Sequence, residues 1–154
     1  MPKREVADIQ ELKSLVGQEV AVGDWLEITQ ERINQFADAT NDHQWIHVDP
    51  ERARRESPFG GPVAHGFFTL SLLPMLTERI TLVHGLKSRV NYGLDKVRFT
   101  APVPVGAKLR IRATLQTVDD EGAGGVKVAW LVTFEIEGGD KPVCVALSLA
   151  KLYF

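Results

Sequence analysis

The sequence predicts an α+β fold in which a curved antiparallel sheet wraps around one long buried helix. Three observations support this: a continuous apolar run after Gly66, strict alternation of apolar and polar residues in the second half, and short Gly- and Asp-containing turns between the alternating runs. No repeat and no Pro/Gly/Ser-rich linker interrupts the 154 residues, so we expect one domain spanning 1–154.

The first half of the chain, to about residue 84, is typical of helices and loops. A strand is expected within 18–25. Thr29 is a favourable N-cap for a helix over 30–39, because its hydroxyl can accept a backbone N–H of the first turn. Asp49-Pro50 predicts a second capped helix that continues through Arg54. Residues 66–81 are apolar nearly all round, which predicts a fully buried helix, and Pro74 predicts a kink or a break in it.

The second half is strand-like. Residues 86–100 are expected to form a long, irregular strand, and three further strands are expected at 109–115, 126–136 and 143–149. Turns at 119–125 and 137–140 join the last three strands into an antiparallel meander. The single cysteine, Cys144, lies in an apolar run and is expected to be a reduced core residue.

The bulk properties exclude several classes of function. A net charge of -2 and a pI near 6.1 argue against a nucleic-acid or anionic-membrane surface. The N-terminal residues lack the apolar segment of a signal peptide, and the longest apolar stretch is too short to span a bilayer. We therefore expect a cytoplasmic protein with no membrane partner.

The candidate chemistry lies in residues 40–47, which combine Asp42 and His47 in a segment without helical or strand periodicity. A carboxylate and an imidazole can hold a water between them and move its protons. Gly66, at the expected start of the buried helix, offers a bare N–H for a developing oxyanion. His43 and His47 lack the helical context that would place both on one face, so no metal site is expected.

These residues, in this order, resemble the MaoC-like (R)-specific enoyl-CoA hydratase family, also called hydratase 2, over about Trp25 to Tyr153. The resemblance rests on Asp42-His43-Gln44-Trp45-Ile46-His47, on Pro62-Val63-Ala64-His65-Gly66, and on the later segment 91–99. Asn41, Gln44 and Trp45 depart from the family's Gly, Asn and Pro, and this variant resembles the NodN-like branch.

The resemblance implies the hot-dog fold, a homodimer joined edge to edge through its sheets, and reversible hydration of a trans-2-enoyl-CoA to the (3R)-3-hydroxyacyl-CoA without cofactor or metal. It also implies Asp42 and His47 as the catalytic pair and makes the Gly66 N–H the candidate donor to the thioester oxygen. Five further residues are candidate substrate contacts or supports of the site. Asn41 and Gln44 are expected to hold the pair, His65 to buttress the loop or touch substrate, and Trp45 and Tyr92 to line an acyl pocket or simply to pack.

Three alternatives remain open from the sequence. The same chemistry can act on acyl-carrier-protein or polyketide intermediates. A hot-dog thioesterase would place a carboxylate on the central helix, where this chain has only Glu78. The NodN likeness also keeps open a non-catalytic acyl-binding module.

Overall fold

Hydrophobic periodicity places the helices in the first half of the chain and the four long strands in the second, as the sequence predicts. The computed structural model describes residues 2–154, and over these residues the elements run as follows. They are β1 (Arg4–Val6), α1 (Ile9–Ser14), β2 (Glu19–Val22), β3 (Leu26–Glu27), α2 (Gln30–Thr40), α3 (Trp45–Val48), α4 (Pro50–Glu56), α5 (Gly66–Ser71), α6 (Leu73–Ile80), β4 (Thr81–Val83), β5 (Ser88–Arg98), β6 (Lys108–Gly122), β7 (Gly125–Ile136) and β8 (Cys144–Tyr153).

The main sheet has the strand order β2-β6-β7-β8-β5, and β3 also pairs with β6. All of its pairings are antiparallel, and β6, β7 and β8 form the predicted meander. β5 pairs with β8 rather than with β6, its neighbour in the chain. The connection between β5 and β6 instead crosses to the Val63 segment, where the Ala64 N–H donates to the Val103 carbonyl. A small parallel pair, β1 with β4, was not predicted.

The alternation within the strands sets the buried face of the sheet. On β6, the inward residues Leu109, Ile111, Ala113 and Leu115 are at most 1 % exposed, whereas the arginines between them are partly exposed. β6 continues to Gly122, so the following turn is tighter than the predicted 119–125 and falls at Ala123-Gly124. Cys144 is fully buried, and burial raises the pKa of its thiol to about 11. The thiol is therefore protonated and unreactive at neutral pH.

The central helix is broken, as Pro74 predicts. α5 ends before Leu72, and α6 starts again at Leu73 with Pro74 in its first turn, where the missing proline N–H costs no helical hydrogen bond. The prediction of a fully buried helix was wrong. Phe68 and Leu76 pack into the core, but Phe67 is 69 % exposed. Only one face of α5 and α6 has a sheet to pack against in the single chain.

The helices were also compared with the length and apolar character that a membrane-spanning segment needs. Over residues 2–154, none of the helices combines the length and apolar character needed to cross a bilayer.

Candidate active site

The turn between α2 and α4 brings the predicted pair together. α2, capped by the Thr29 hydroxyl as expected, ends at Asn41, which adopts a left-handed conformation (φ 57°) that asparagine tolerates better than most residues. The chain then reverses through Asp42 and enters the single turn α3, which carries His47. The sequence pattern did not predict this helical turn. Asp49 caps the following helix α4 through the Arg52 N–H at 3.1 Å, as predicted.

Three titratable groups converge here: Asp42, His47 and His65. One carboxylate oxygen of Asp42 and one ring nitrogen from each histidine all lie within 4.8 Å of one another. His47 and His65 are buried, whereas about half of the Asp42 side chain is exposed. The predicted catalytic pair is thus close in space, with a half-exposed carboxylate beside a buried imidazole.

Main-chain and amide contacts fix the tautomer and position of His47. Its Nδ1 lies 2.6 Å from the Val63 carbonyl oxygen, which can only accept, so Nδ1 carries the hydrogen and Nε2 keeps its lone pair. The side-chain amide of Gln30 donates to the His47 carbonyl at 2.7 Å. Burial lowers the pKa of His47 below 6.5, although the Val63 carbonyl and the Asp42 carboxylate partly oppose this shift. At neutral pH, His47 is therefore a neutral acceptor at Nε2.

His65 lies beneath both members of the pair. Its Nε2–H donates to the Asp42 carbonyl oxygen at 3.0 Å, and its ring stacks on His47 with centroids 3.9 Å apart and planes inclined at 26°. Phe36 packs on the ring at 4.9 Å. His65 therefore orients the main chain of Asp42 and the ring of His47 at the same time.

The donor set of this cluster suits proton transfer better than metal binding. The Val63 carbonyl already occupies His47 Nδ1, and the Asp42 carbonyl occupies His65 Nε2. The remaining nitrogen of His65, Nδ1, is buried without a partner among residues 2–154. A metal ion bound at His65 Nε2 would therefore have to displace the hydrogen bond to the Asp42 carbonyl.

The cleft beside this cluster, here called the catalytic cleft, has a volume of about 390 Å³. His47 and Gly66 both line it, so the imidazole and the helix start face the same space. Asp42 is not among its lining residues, but its carboxylate lies within 4.8 Å of a ring nitrogen of His47, which does line it. The other lining residues are mostly apolar: Ile46, Phe59, Val63, Ala64, Thr69, Phe99, Thr100, Ala101, Pro102, Val103 and Val143.

Gly66 begins α5 at the edge of the catalytic cleft. No acceptor in the described part of the chain bonds its N–H, which therefore remains free for a ligand. A Cβ at this position would lie 3.1–3.2 Å from ring atoms of Phe99, closer than an ordinary contact. The absence of a side chain thus permits both the approach of Phe99 and access to the N–H.

The other predicted substrate contacts do not line the catalytic cleft in the single chain. Asn41 and Gln44 are exposed on the turn that carries Asp42, and the Gln44 N–H lies 3.5 Å from the Asp42 carboxylate. Trp45 packs under the Arg52 guanidinium at 4.3 Å and does not line the catalytic cleft. Tyr92 lies on β5, 57 % exposed and beside the Lys151 ammonium at 4.8 Å, so the single chain does not bring it to this cleft.

Sequence reasoning missed the residues that act through the main chain or through packing. The Val63 carbonyl sets the His47 tautomer, but a main-chain carbonyl cannot be recognised from the pattern of residue types. Gln30 stands at an ordinary helix start, and only its contact with the His47 carbonyl identifies it. Phe59 and Phe99 line the catalytic cleft from two loops that are far apart in sequence.

Known proteins match this fold and this chain closely. The sequence model of a family described as a MaoC-like domain matches residues 11–133. The chain is 51 % identical over 148 residues to the 3-hydroxyacyl-thioester dehydratase Z of Mycobacterium tuberculosis, covering 96 % of this chain and 97 % of that protein. It is 44 % identical over 147 residues to nodulation protein N of Rhizobium meliloti, covering 95 % and 91 %.

The fold also matches a solved structure, that of the (R)-hydratase PhaJ1 from Pseudomonas aeruginosa. The TM-score is 0.70 at 21 % identity, with 90 % of this chain and 81 % of that chain covered. This likeness concerns the fold alone, and it confirms the architecture that the sequence predicts.

Proposed function

The chain belongs to the MaoC-like domain family, and from this premise we propose that it reversibly hydrates a trans-2-enoyl-CoA to the (3R)-3-hydroxyacyl-CoA. Its relatives carry the names of a 3-hydroxyacyl-thioester dehydratase and of the nodulation protein NodN, and the predicted NodN-like resemblance is confirmed at 44 % identity. The reverse direction of the proposed reaction is the dehydration that the first of these names describes.

Asp42 and His47 activate the water in this proposal. Both present acceptors, a carboxylate and the bare Nε2 of a neutral imidazole, and a water has two O–H groups to satisfy them. As the water oxygen bonds to C3 of the enoyl group, one proton passes to His47. The resulting imidazolium is stabilised by the nearby Asp42 carboxylate, and it returns the proton to C2.

Gly66 is proposed to bind the thioester oxygen. Electrons displaced from the C2–C3 double bond move towards the thioester oxygen, which becomes enolate-like until C2 is protonated. The free N–H of Gly66, at the positive end of α5, donates to this oxygen. Water, acyl carbon and oxyanion donor then occupy the same cleft.

The single observation that carries this proposal is the shared cleft of His47 and Gly66, with the Asp42 carboxylate within 4.8 Å of a His47 ring nitrogen. The test follows loss of the conjugated thioester absorbance with trans-2-enoyl-CoAs of several chain lengths. Product configuration is then read with dehydrogenases specific for the (3R) or the (3S) alcohol. Hydration of at least one substrate to the (3R) product supports the proposal, and inertness towards all of them rejects it.

The same assay, together with a binding titration, distinguishes two alternatives. A dehydratase of carrier-bound intermediates would act on crotonyl-acyl-carrier protein and not on crotonyl-CoA. A non-catalytic module, which the relative named nodulation protein N keeps open, would bind acyl-CoA in a titration without turning it over. The structure gives little support to a thioesterase, because Glu78 lies near the end of α6 and lines a separate cavity with Arg89.

The proposal includes a homodimer formed through β5. This strand pairs with β8 on one side, and within the described residues its other edge is unpaired. Val90, Leu94 and Phe99 are exposed on or beside this strand, and Phe67 is exposed on α5. Antiparallel pairing of two β5 strands about a twofold axis would cover an edge that otherwise favours aggregation. Sedimentation analysis is expected to give twice the 17.1 kDa of one chain, and a monomer would reject this part of the proposal.

A further inference from the structure

The proposed reaction gives the thioester oxygen one donor, the Gly66 N–H, although a carbonyl oxygen has two lone pairs. This oxygen becomes enolate-like during the reaction, and donors placed around such a charge before it develops lower the barrier. No lysine or arginine is found among the described residues that line the catalytic cleft. A second donor from the cleft must therefore be a neutral group.

Three polar side chains line the catalytic cleft: those of His47, Thr69 and Thr100. The ring N–H of His47 is already bound to the Val63 carbonyl, and the Thr100 hydroxyl donates to the Pro142 carbonyl. The Thr69 hydroxyl has no hydrogen bond to any of residues 2–154. Among the described side chains of the cleft, it is thus the donor that remains available to a ligand.

The Thr69 side chain is almost completely buried, at 2 % exposed. Buried hydroxyls are normally hydrogen-bonded, because an unpaired one has lost its contact with water without gaining a partner. Thr69 lines the catalytic cleft, so a molecule bound in that cleft can supply the missing partner. The burial and the missing bond together indicate a ligand contact.

The hydroxyl of Thr69 is also oriented differently from those of other threonines in or directly after the helices. Thr40, Thr77 and Thr81 each donate to the carbonyl four residues earlier, at 2.7–3.1 Å. Thr69 makes only the main-chain bond to the corresponding carbonyl, that of His65, at 3.2 Å. Its hydroxyl is therefore turned away from the backbone of its own helix.

The position of Thr69 on α5 suits a shared acceptor with Gly66. Thr69 follows Gly66 by three residues, which places the two on one face of the helix. Side chains at this spacing lie about 5–6 Å apart, and a helical side chain leans towards the N-terminus, here towards Gly66. Two donors can bind the same oxygen when they are less than about 6 Å apart. The helical spacing meets that condition.

We propose that the Thr69 hydroxyl is the second donor to the thioester oxygen, which makes Thr69 a catalytic residue of the hydration. This inference rests on the proposed function, because it takes the thioester to react beside Gly66. Thr69 keeps its proton, and the transferred proton still moves from the water through His47 to C2. The hydrogen bond from Thr69 strengthens as the oxygen gains negative charge, so it stabilises the transition state more than the bound substrate.

The kinetic test uses the enoyl-CoA that the wild type hydrates best. Thr69→Val keeps the size and branching of the side chain but removes the donor, so kcat is expected to fall about 100-fold while KM changes less than about threefold. Thr69→Ser restores the hydroxyl and is expected to stay within about fivefold of wild type. Thr77→Val is the matched control, because it makes the same change at a buried threonine whose hydroxyl bonds only to its own helix; it should keep the wild-type kcat.

Thermal unfolding separates loss of the donor from loss of structure. Thr69→Val removes a hydroxyl without a partner, so its Tm is expected to equal or exceed that of wild type. Thr77→Val removes a bonded hydroxyl and should have a lower Tm. If Thr69→Val does not fold, Thr69→Ser is compared with Thr69→Ala, from which it differs only by the hydroxyl.

A spectroscopic probe reports on the thioester oxygen itself. The conjugated system of trans-2,trans-4-hexadienoyl-CoA absorbs at longer wavelength when its carbonyl oxygen accepts stronger hydrogen bonds. Spectra are recorded immediately after mixing, before turnover. We expect a red shift on binding to wild type, Thr69→Ser and Thr77→Val, and a clearly smaller shift with Thr69→Val.

The outcomes separate this inference from the proposed function. Wild-type kcat in Thr69→Val, or an equal loss in Thr69→Ser, overturns the role of Thr69. A reduced kcat with an unchanged red shift assigns the hydroxyl to the water or to the product alcohol, and also overturns it. If the wild type hydrates nothing, the proposed function fails by itself. The probe then decides the inference, which requires a red shift with wild type that Thr69→Val diminishes and Thr69→Ser restores.

Discussion

Replacing Gly66 with alanine tests the oxyanion role because the structure predicts where the added methyl group goes. Its carbon would lie 3.1 Å from Cδ2 and Cγ of Phe99 and 3.2 Å from Cδ1, so the ring must move by several tenths of an ångström. Phe99 is 46 % exposed and can move outward more easily than a core side chain. Alanine also favours helix over glycine by about 0.5–1 kcal/mol.

These two effects oppose each other, so the free energy of unfolding of Gly66→Ala is expected to stay within about 1 kcal/mol of wild type. For a chain of this size that is a change in Tm of roughly 2–4 °C. Activity is expected to respond much more strongly. The methyl group stands beside the N–H that the thioester oxygen must reach, and loss of one oxyanion donor typically lowers kcat about 100-fold or more.

The assay is the enoyl-thioester absorbance decay, with thermal unfolding measured on the same samples. The double variant Gly66→Ala/Phe99→Ala is the control, because it removes the close contact but keeps the methyl group at the N–H. We expect the double variant to stay inactive. Recovery of activity would mean that displacement of Phe99 caused the loss, and full activity in Gly66→Ala alone would refute the oxyanion role.

Three further predictions concern the histidines and the outer face of the sheet. Because burial lowers the pKa of His47, kcat/KM is expected to stay constant until the pH falls below 6.5. The free energy of unfolding should also decline below pH 6.5, because the unfolded chain binds the proton more readily than the folded one. In urea titrations, His47→Gln should lose this pH dependence. His65→Phe keeps a ring against His47 but loses the bond to the Asp42 carbonyl, so kcat should fall about tenfold with little change in KM; an unchanged kcat would show that this bond is dispensable. Glu135→Gln weakens hydrogen bonds from two arginines and should cost about 1–2 kcal/mol of stability. Glu137→Gln weakens only an exposed pair with Lys108 at 3.9 Å and should cost less than about 0.5 kcal/mol; equal effects of the two variants would contradict this ranking.

Local sequence signals predicted the elements that depend on local chemistry. The Thr29 and Asp49 caps, the break near Pro74 and the alternation of β6 each follow from a side chain and its immediate neighbours. The exposure of Phe67 and the pairing of β5 with β8 were not predictable in this way. Both depend on which surfaces meet after the chain has folded, and no periodicity within one segment contains that information.

The candidate site likewise combines residues that the sequence identified with features that only the folded chain shows. Asp42, His47 and Gly66 were identified from the order of residue types, and the structure brings the first two within reach of each other. The neutral tautomer of His47 depends on a carbonyl 16 residues away in the sequence, that of Val63. Tyr92, expected to line an acyl pocket or simply to pack, lies beside Lys127 of β7 and Lys151 of β8.

The most direct test of the central claim measures hydration of crotonyl-CoA by wild type, Asp42→Asn and His47→Gln. His43→Gln serves as the matched control, because His43 pairs with Asp38 on the surface at 2.9 Å. Loss of an acid–base group typically costs 10²–10⁴ in rate, so we expect both site variants to lose at least about 100-fold in kcat while His43→Gln keeps the wild-type rate. Full rates in Asp42→Asn and His47→Gln, with an active wild type, would contradict the assignment of the pair.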